Sequence, residues 1–282
     1  MKSNKYIIYS ISNSPYQEWQ AELLDYSFKK VGQPGMLIRL CSVDKKYPNR
    51  SIPFSKAGLT ISTPNFSELS SAIDWPVMNK PGSLNFLFDN KRFDDEDTLI
   101  FLDPDMIFIR AWDPEVNKGS AYGQRWKGYA NNYCRKTSIQ PDLCPDNEYG
   151  CLMYPFAIKA VDMKNIVEDI EYFSRKGYLK HNDWMADMSA FVTAMAKHNI
   201  KIETKENIGL CNNWDNNNDE AAFIMHYCRP IRDKNDNIIW GKWRYQPWNL
   251  PPDISQATNR VDKEVLATLA EYIKSNHTGE IE

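Results

Sequence analysis

TLIFLDPDMIFIR, residues Thr98–Arg110, decides how the rest of this chain is read. An apolar run ends in Asp103-Pro104-Asp105, and a second apolar run begins at once. Two carboxylates, two residues apart at the end of a buried strand, are costly unless something pairs with them. A divalent cation such as Mn²⁺ or Mg²⁺ suits hard oxygen ligands and keeps positions open for a diphosphate. Asp-Pro-Asp is equally ordinary chemistry for a surface turn joining two strands of a hairpin. The short motif does not choose between these readings, so the surrounding sequence has to.

Upstream, YIIYSI (Tyr6–Ile11) reads as a buried strand. Gln17–Lys30 then places Trp19, Leu23, Leu24 and Phe28 at helical spacings, with Gly32 and Pro34 to close the helix. Met36–Cys41 is a second strand, Asp44–Asn65 a loop rich in Pro, Ser and Lys, and Asn79–Phe88 a short helix. Beyond Gly119 the chain is rich in loop as far as Gly150. Leu152–Ile158 then reads as a strand, Val161–Arg175 as a helix, and Asn182–His198 as a helix with a Met185, Met188, Val192, Met195 stripe. Phe223–Met225 is a short strand ending at His226, and the tail carries a helix over Val261–Ser275. Strands alternating with helices predict an α/β fold, a mixed and mainly parallel sheet flanked by helices. Residues 1–250 read as one domain and 251–282 as a C-terminal helical extension packed on it. Ligands of such sheets bind beyond the carboxyl ends of the strands, where both Ser12–Tyr16 and Asp103–Asp105 fall.

The composition narrows the function classes. At 282 residues, 42% hydrophobic and 25% charged, the chain is globular. A formal net charge of −3 gives no overall footprint for nucleic acid, although Arg229, Arg232, Lys234, Lys242 and Arg244 lie close together. No apolar run approaches a membrane span, and MKSNKYIIYSIS enters a strand without a signal-peptide core, so the expected setting is cytoplasmic. The six cysteines contain no Cys-x-x-Cys pair, which argues against structural zinc and for reduced, mostly buried thiols.

Four further constellations could carry chemistry. His226 closes an apolar segment and is either a hydrogen-bonded structural histidine or, beside Asp103 and Asp105, a Mn²⁺ ligand. Gly241-Lys242-Trp243-Arg244-Tyr245 could wrap a pyrophosphate, with backbone approach at the glycine, charge from the cations and water excluded by Trp243. An ordinary strand with alternating Trp243 and Tyr245 is the other reading. Asp183 and Asp187 stand four apart on a predicted helix and share a face, as solvated acids near a helix N-terminus or as a carboxylate turned on a sugar. Lys80 opens a predicted helix, as a phosphate or sugar contact or as a solvated lysine.

Taken together these segments resemble a known family, the hydroxyproline O-arabinosyltransferases and, more loosely, the peptidyl-serine O-galactosyltransferases. The resemblance runs from about Ser14 to Tyr272. Pro15-Tyr16-Gln17-Glu18-Trp19-Gln20 is similar to the family's Pro-Tyr-x-x-Trp-Gln segment, and Asn79-Lys80-Pro81 to its Asn-Arg-Pro. LDPDMIF at Leu102–Phe108 resembles its Glu-Pro-Asp-His-Ile-Phe metal loop, and Asp183–Met188 its Gly-Trp-x-x-Glu-Met helix. Phe223–Tyr227 is similar to its Ile-Ile-His-Tyr, and Gly241–Tyr245 to its Gly-Glu-Trp-Arg-Phe. The resemblance implies a GT-A type, Rossmann-like fold, a divalent metal, a UDP-sugar donor and transfer with retention, arabinose being the favoured sugar. It makes Asp105 and His226 metal ligands with Asp103 beside them, and Asp187 the acidic group at the sugar. Tyr16, Lys80, Asp103, Gly241, Lys242, Trp243 and Arg244 become donor contacts. Lys80 stands where the family has Arg, Asp187 where it has Glu, and Lys242 where it has Glu.

The acceptor is not carried over with the resemblance. A hydroxyl on a peptide, on a modified nucleic-acid base or on a glycan fits the expected chemistry. It would reach the cleft over Tyr122–Cys151, which carries Arg125, Lys127 and Arg135. The competing reading from another class is a non-catalytic nucleotide-sugar binding protein.

Overall fold

The computed structural model describes residues 3–125, 135–136, 138–144, 152–212 and 217–277. The first strand, β1 (Lys5–Ser12), pairs in parallel with β2 (Met36–Ser42), which pairs in parallel with β3 (Leu59–Thr63) at one edge. β4 (Glu68–Ser70) and β5 (Ile73–Asp74) form a separate hairpin. On its other side β1 pairs in parallel with β6 (Thr98–Phe101). β7 (Met106–Phe108) then leaves this sheet. β8 (Ser120–Arg125), β9 (Leu152–Lys159) and β10 (Lys201–Lys205) complete seven strands in the order β10-β8-β9-β6-β1-β2-β3. Only β9 in that sheet runs against its neighbours, so the sheet is mixed and mainly parallel, as predicted.

Capping chemistry sets the first helix, α1 (Pro15–Lys30). Ser14 accepts from the Gln17 backbone N–H, Pro15 opens the first turn, and Lys29 and Lys30 sit in the last. Gly32 follows at φ +63°, the left-handed conformation that ends helices cheaply in glycine. Its buried face, including Trp19, Leu23, Leu24 and Phe28, packs into the core shared with β1 and β2. A charge the sequence reading passed over lies there. Arg39 of β2, wholly buried, pairs with Asp25 of α1 at 2.8 Å and donates from Nε to the Tyr9 hydroxyl at 2.7 Å. Tyr9 in turn donates to Asp25 at 2.7 Å, which closes a buried triangle between helix and strands.

α2 (Asn79–Asn90) follows Trp75, and α3 (Ala160–His181) and α4 (Ala186–Lys197) follow β9. The single helix expected over Asn182–His198 is shorter and later. Asn182 adopts φ 50° and caps α3, and the chain turns through Asp183–Met185 before α4 begins. Asp183 spends a carboxylate oxygen on the Met185 N–H at 2.8 Å, so it is a turn residue and does not share a helix face with Asp187. The expected loop over residues 44–65 also needs correction, since β3 lies within it.

A small sheet beside the large one matters most for the site. β11 (Gly209–Cys211) pairs in parallel with β12 (Ile224–His226), and β12 pairs antiparallel with β7. β13 (Ile231–Arg232) and β14 (Ile238–Trp240) form a last hairpin. The closing helix, α5 (Arg260–Asn276), buries Val261, Val265, Leu266, Leu269 and Ile273 in the same hydrophobic core as the sheet. Among the described residues no helix is long and apolar enough to cross a membrane.

Candidate active site

The Asp-Pro-Asp turn is not a hairpin turn. β6 pairs with β1 and β9, whereas β7 pairs with β12, so Asp103–Asp105 is the corner where the chain passes between two sheets. Strand register does the rest. Met106 stands opposite His226, and the Tyr227 N–H donates to the Asp105 carbonyl at 3.1 Å. His226 is thereby laid against Asp105, with Nε2 3.3 Å from Oδ1. One ligand atom from each of Asp103, Asp105 and His226 can be chosen so that all three lie within 4.8 Å of one another.

Around this trio lies a cavity of about 800 Å³, lined among others by Tyr16, Lys80, Asp103, Asp105, Asp187, His226 and Lys242. Asp187, in the first turn of α4, is 1% exposed. Lys80 in α2 bridges the carboxylates, with Nζ 2.7 Å from Asp103 and 3.2 Å from Asp187. The same ammonium stands 4.6 Å from the centre of the Tyr154 ring. Lys242 binds the second oxygen of Asp105. Three carboxylates thus face two ammonium groups and an imidazole.

The electrostatics follow from burial set against these partners. Burial pushes Asp105 up, but Lys242 and His226 outweigh it and hold the carboxyl well below the usual range. Burial lowers His226, and the Asp105 charge overrides it, raising the imidazole to about 9. Asp187 goes the other way: burial raises it, with the Asp103 charge adding, and Lys80 only partly offsets them. Lys80 and Lys242 are both raised, their carboxylates prevailing over burial. The donor set fits a hard divalent cation in its chemistry, since ligand atoms of two carboxylates and an imidazole lie within 4.8 Å of one another where the carboxylates already hold two ammonium groups.

Not every expected residue enters the cavity. From Gly241–Arg244 the lining takes Lys242 alone. The segment is a turn, with Arg244 and Tyr245 N–H groups donating to the Gly241 carbonyl at 2.9 and 3.0 Å. Trp243 is 47% exposed, Arg244 is exposed, and the indole of Trp243 packs over the buried Gly241. Asp183, in its turn, is outside the lining, while its neighbours Trp184 and Met185 are part of it. Of the cations expected to guide an acceptor, Lys127 lies outside the described residues. Arg125 pairs with Glu206 at 3.0 Å, and neither it nor Arg135 lines the cavity.

Sequence reasoning missed two cysteines in the lining. Cys211 is paired in register with His226, and its Sγ is 3.5 Å from Nδ1 and 3.6 Å from the sulfur of Cys228. The signal was present, because Cys211 closes the apolar run Ile208–Cys211 as His226 closes its own.

No sequence profile of a known protein family matches the chain. A peptidyl serine alpha-galactosyltransferase of Arabidopsis thaliana is 24% identical over 264 residues, covering 83% of this chain and 32% of that protein. The chain thus spans about a third of the length of this curated relative. Among solved structures, a galactosyltransferase, LgtC, in complex with donor and acceptor sugar analogues superposes with a TM-score of 0.57. Identity there is 12%, over 95% of each chain. A bifunctional glycosyltransferase, WbbM, gives 0.54 at 11% identity, covering 98% of this chain and 52% of the other. The chain therefore has the GT-A glycosyltransferase fold and is a homologue of a peptidyl serine galactosyltransferase, in line with the resemblance its motifs carry.

Proposed function

We propose that this chain is a metal-dependent, retaining glycosyltransferase that moves a sugar from a UDP-sugar to a hydroxyl acceptor. The observation that carries the reading is the meeting of Asp103 and Asp105 with His226, from a segment far away in sequence, in the lining of a cavity with Asp187 and Lys80 alongside. A bound Mn²⁺ or Mg²⁺ would supply a double positive charge for the diphosphate of the donor.

The chain's own residues have separable tasks in this reading. Lys242, hydrogen-bonded to Asp105, turns its ammonium to the diphosphate once that carboxylate is engaged. Tyr16, partly exposed at the start of α1, offers its ring to the uracil. Lys80 contacts the sugar or its phosphate while steadying Asp103 and Asp187. Asp187 sets a buried carboxylate near the anomeric carbon, where positive charge grows as the bond to phosphate breaks. The acceptor oxygen forms the new bond to that carbon, UDP departs with the old bonding pair, and the acceptor proton leaves on a phosphate oxygen or to water. Gly241, Trp243, Arg244 and Asp183 do not line the cavity and are given no task in this reading.

Two donors have specific support. The motif resemblance favours UDP-β-L-arabinofuranose, and the names of the Arabidopsis relative and of LgtC favour UDP-galactose. The acceptor hydroxyl belongs to a peptide, a glycan or a modified nucleic-acid base. The test is incubation with each donor and Mn²⁺ against an acceptor panel, reading UDP release and product mass. A pentose or hexose increment with UDP release supports the reading and names the sugar. Tight donor binding without turnover on any acceptor, or by water, would leave the chain a nucleotide-sugar binding protein.

A further inference from the structure

The two rings of ligands around His226 use different nitrogens. Nε2 faces Asp105 at 3.3 Å, and Nδ1 faces the sulfur of Cys211 at 3.5 Å. Cys228 completes the second group, its sulfur 3.6 Å from that of Cys211, and one ligand atom from each of the three residues lies within 4.8 Å of the others. A tetrahedral zinc with Zn–S of about 2.3 Å and Zn–N of about 2.05 Å has S···S edges of about 3.8 Å and S···N edges of about 3.5 Å. Two of the three edges, Cys211 to Nδ1 at 3.5 Å and Cys211 to Cys228 at 3.6 Å, lie close to those values, and the ligand atoms of all three residues lie within 4.8 Å of one another. All three residues also line the cavity, so a fourth ligand, water or an anion, has access. The absence of a Cys-x-x-Cys pair in the sequence is no obstacle. Parallel pairing of β11 with β12 brings Cys211 beside His226, and Cys228 follows two residues later.

We propose that Cys211, Cys228 and His226 Nδ1 form a site for a thiophilic divalent cation, Zn²⁺ first, back to back with the Asp103–Asp105–His226 set. Binding releases the protons of the two thiols and, below about pH 9, the Nδ1 proton of the His226 imidazolium, leaving two thiolates and a neutral imidazole on the metal. An imidazole that gives Nδ1 to zinc keeps its proton on Nε2, and that N–H donates to Asp105. His226 is then withdrawn from the hard-cation set, so the two metals oppose each other through one ring. This consequence for donor binding rests on the proposed function; the cysteine site itself does not.

Cobalt separates the two claims. Reduced, metal-free protein titrated with Co²⁺ should take up one equivalent with intense tetrahedral visible bands and a thiolate charge-transfer band, both bleached by Zn²⁺. Cys228→Ser, at the half-buried position, and Cys211→Ser should each weaken or abolish these bands, while Asp103→Asn should keep them. Zn²⁺ at one equivalent should raise the Mn²⁺ needed for half-maximal UDP binding at least tenfold, and much less in Cys228→Ser relative to its own zinc-free value. Folded, reduced protein without thiolate bands, or bands unchanged in both serine variants, would overturn the site. A pair that oxidises to a disulfide and, once reduced, still takes up no Co²⁺ would do the same. Thiolate bands in a protein that binds no UDP would refute the proposed function and leave the site standing. UDP binding that needs Mn²⁺ but ignores bound zinc would refute the coupling.

Discussion

Replacing Asp187 by Asn isolates the step at which the account asks most of one side chain. The carboxylate is 1% exposed, 3.2 Å from the Lys80 ammonium, and raised by its own burial. A unit charge about 4 Å away is worth about 4 kcal/mol at an effective dielectric constant of about 20. Incomplete charge at the anomeric carbon and the opposing Lys80 reduce that to about 2 kcal/mol. Since each 1.36 kcal/mol is tenfold, kcat should fall about 30-fold, and at most about 1,000-fold if the full charge is felt. The amide has nearly the same shape and does not carry the cost of a buried charge, so folding stability should move by less than about 1 kcal/mol. The assay is initial-rate UDP release at saturating donor, beside calorimetric UDP affinity with Mn²⁺ present. Loss of kcat with UDP affinity intact identifies an interaction made mainly in the transition state. A kcat within threefold of wild type, or an equal loss of UDP binding, would refute the reasoning.

Other perturbations test the frame around that residue. Asp25→Ala should destabilise the protein by about 3–5 kcal/mol, because it strands the buried Arg39 guanidinium; a melting temperature within two degrees of wild type would contradict the buried triangle. In metal-free protein His226 is raised to about 9 from its ordinary value near 6.5. Its contribution, up to about 3 kcal/mol, should be complete below about pH 6.5 and vanish as pH rises through 9, as denaturant midpoints across that range would show. The same proton must leave before Nε2 can ligate, so Mn²⁺ affinity should climb about tenfold per pH unit up to about 9; a flat profile would remove His226 from the ligand set. Lys242→Ala should weaken UDP binding about tenfold with kcat nearly unchanged, checked by the same calorimetry.

What the sequence disclosed was whatever a long apolar period or a cap announces. YIIYSI, the body of α1 from Gln17 with its Gly32 close, and the tail helix were legible because burial on one face leaves a repeat in the residues, while the Ser14-Pro15 start of α1 lies two residues before the expected one. Asp103, Asp105 and His226 were legible for a related reason, since each polar group follows a buried run and needs a partner. β10, KIETK, alternates between exposed and half-buried positions at a sheet edge and has too little apolar content to declare itself. The break at Asn182 was hidden because the periodicity of Met185, Met188, Val192 and Met195 runs back smoothly into a turn where Asp183 accepts from the Met185 and Ala186 N–H groups. Arg39 drew no reading from the sequence, because its partner Asp25 lies on a different element. The end of an apolar run marked Cys211, but its approach to Cys228 and His226 is set by pairing between strands, which spacing along the chain does not record.

The most direct measurement is UDP binding by calorimetry with Mn²⁺ and with a chelator, on the wild-type chain and on Asp105→Asn. Asp105 stands between His226 and Lys242 and, of the three proposed metal ligands, is the one most fully enclosed by partners. The account predicts binding by the wild type that needs Mn²⁺, and none by an Asp105→Asn protein that still unfolds cooperatively. UDP binding that survives the chelator, or that is undiminished in the folded variant, would contradict it.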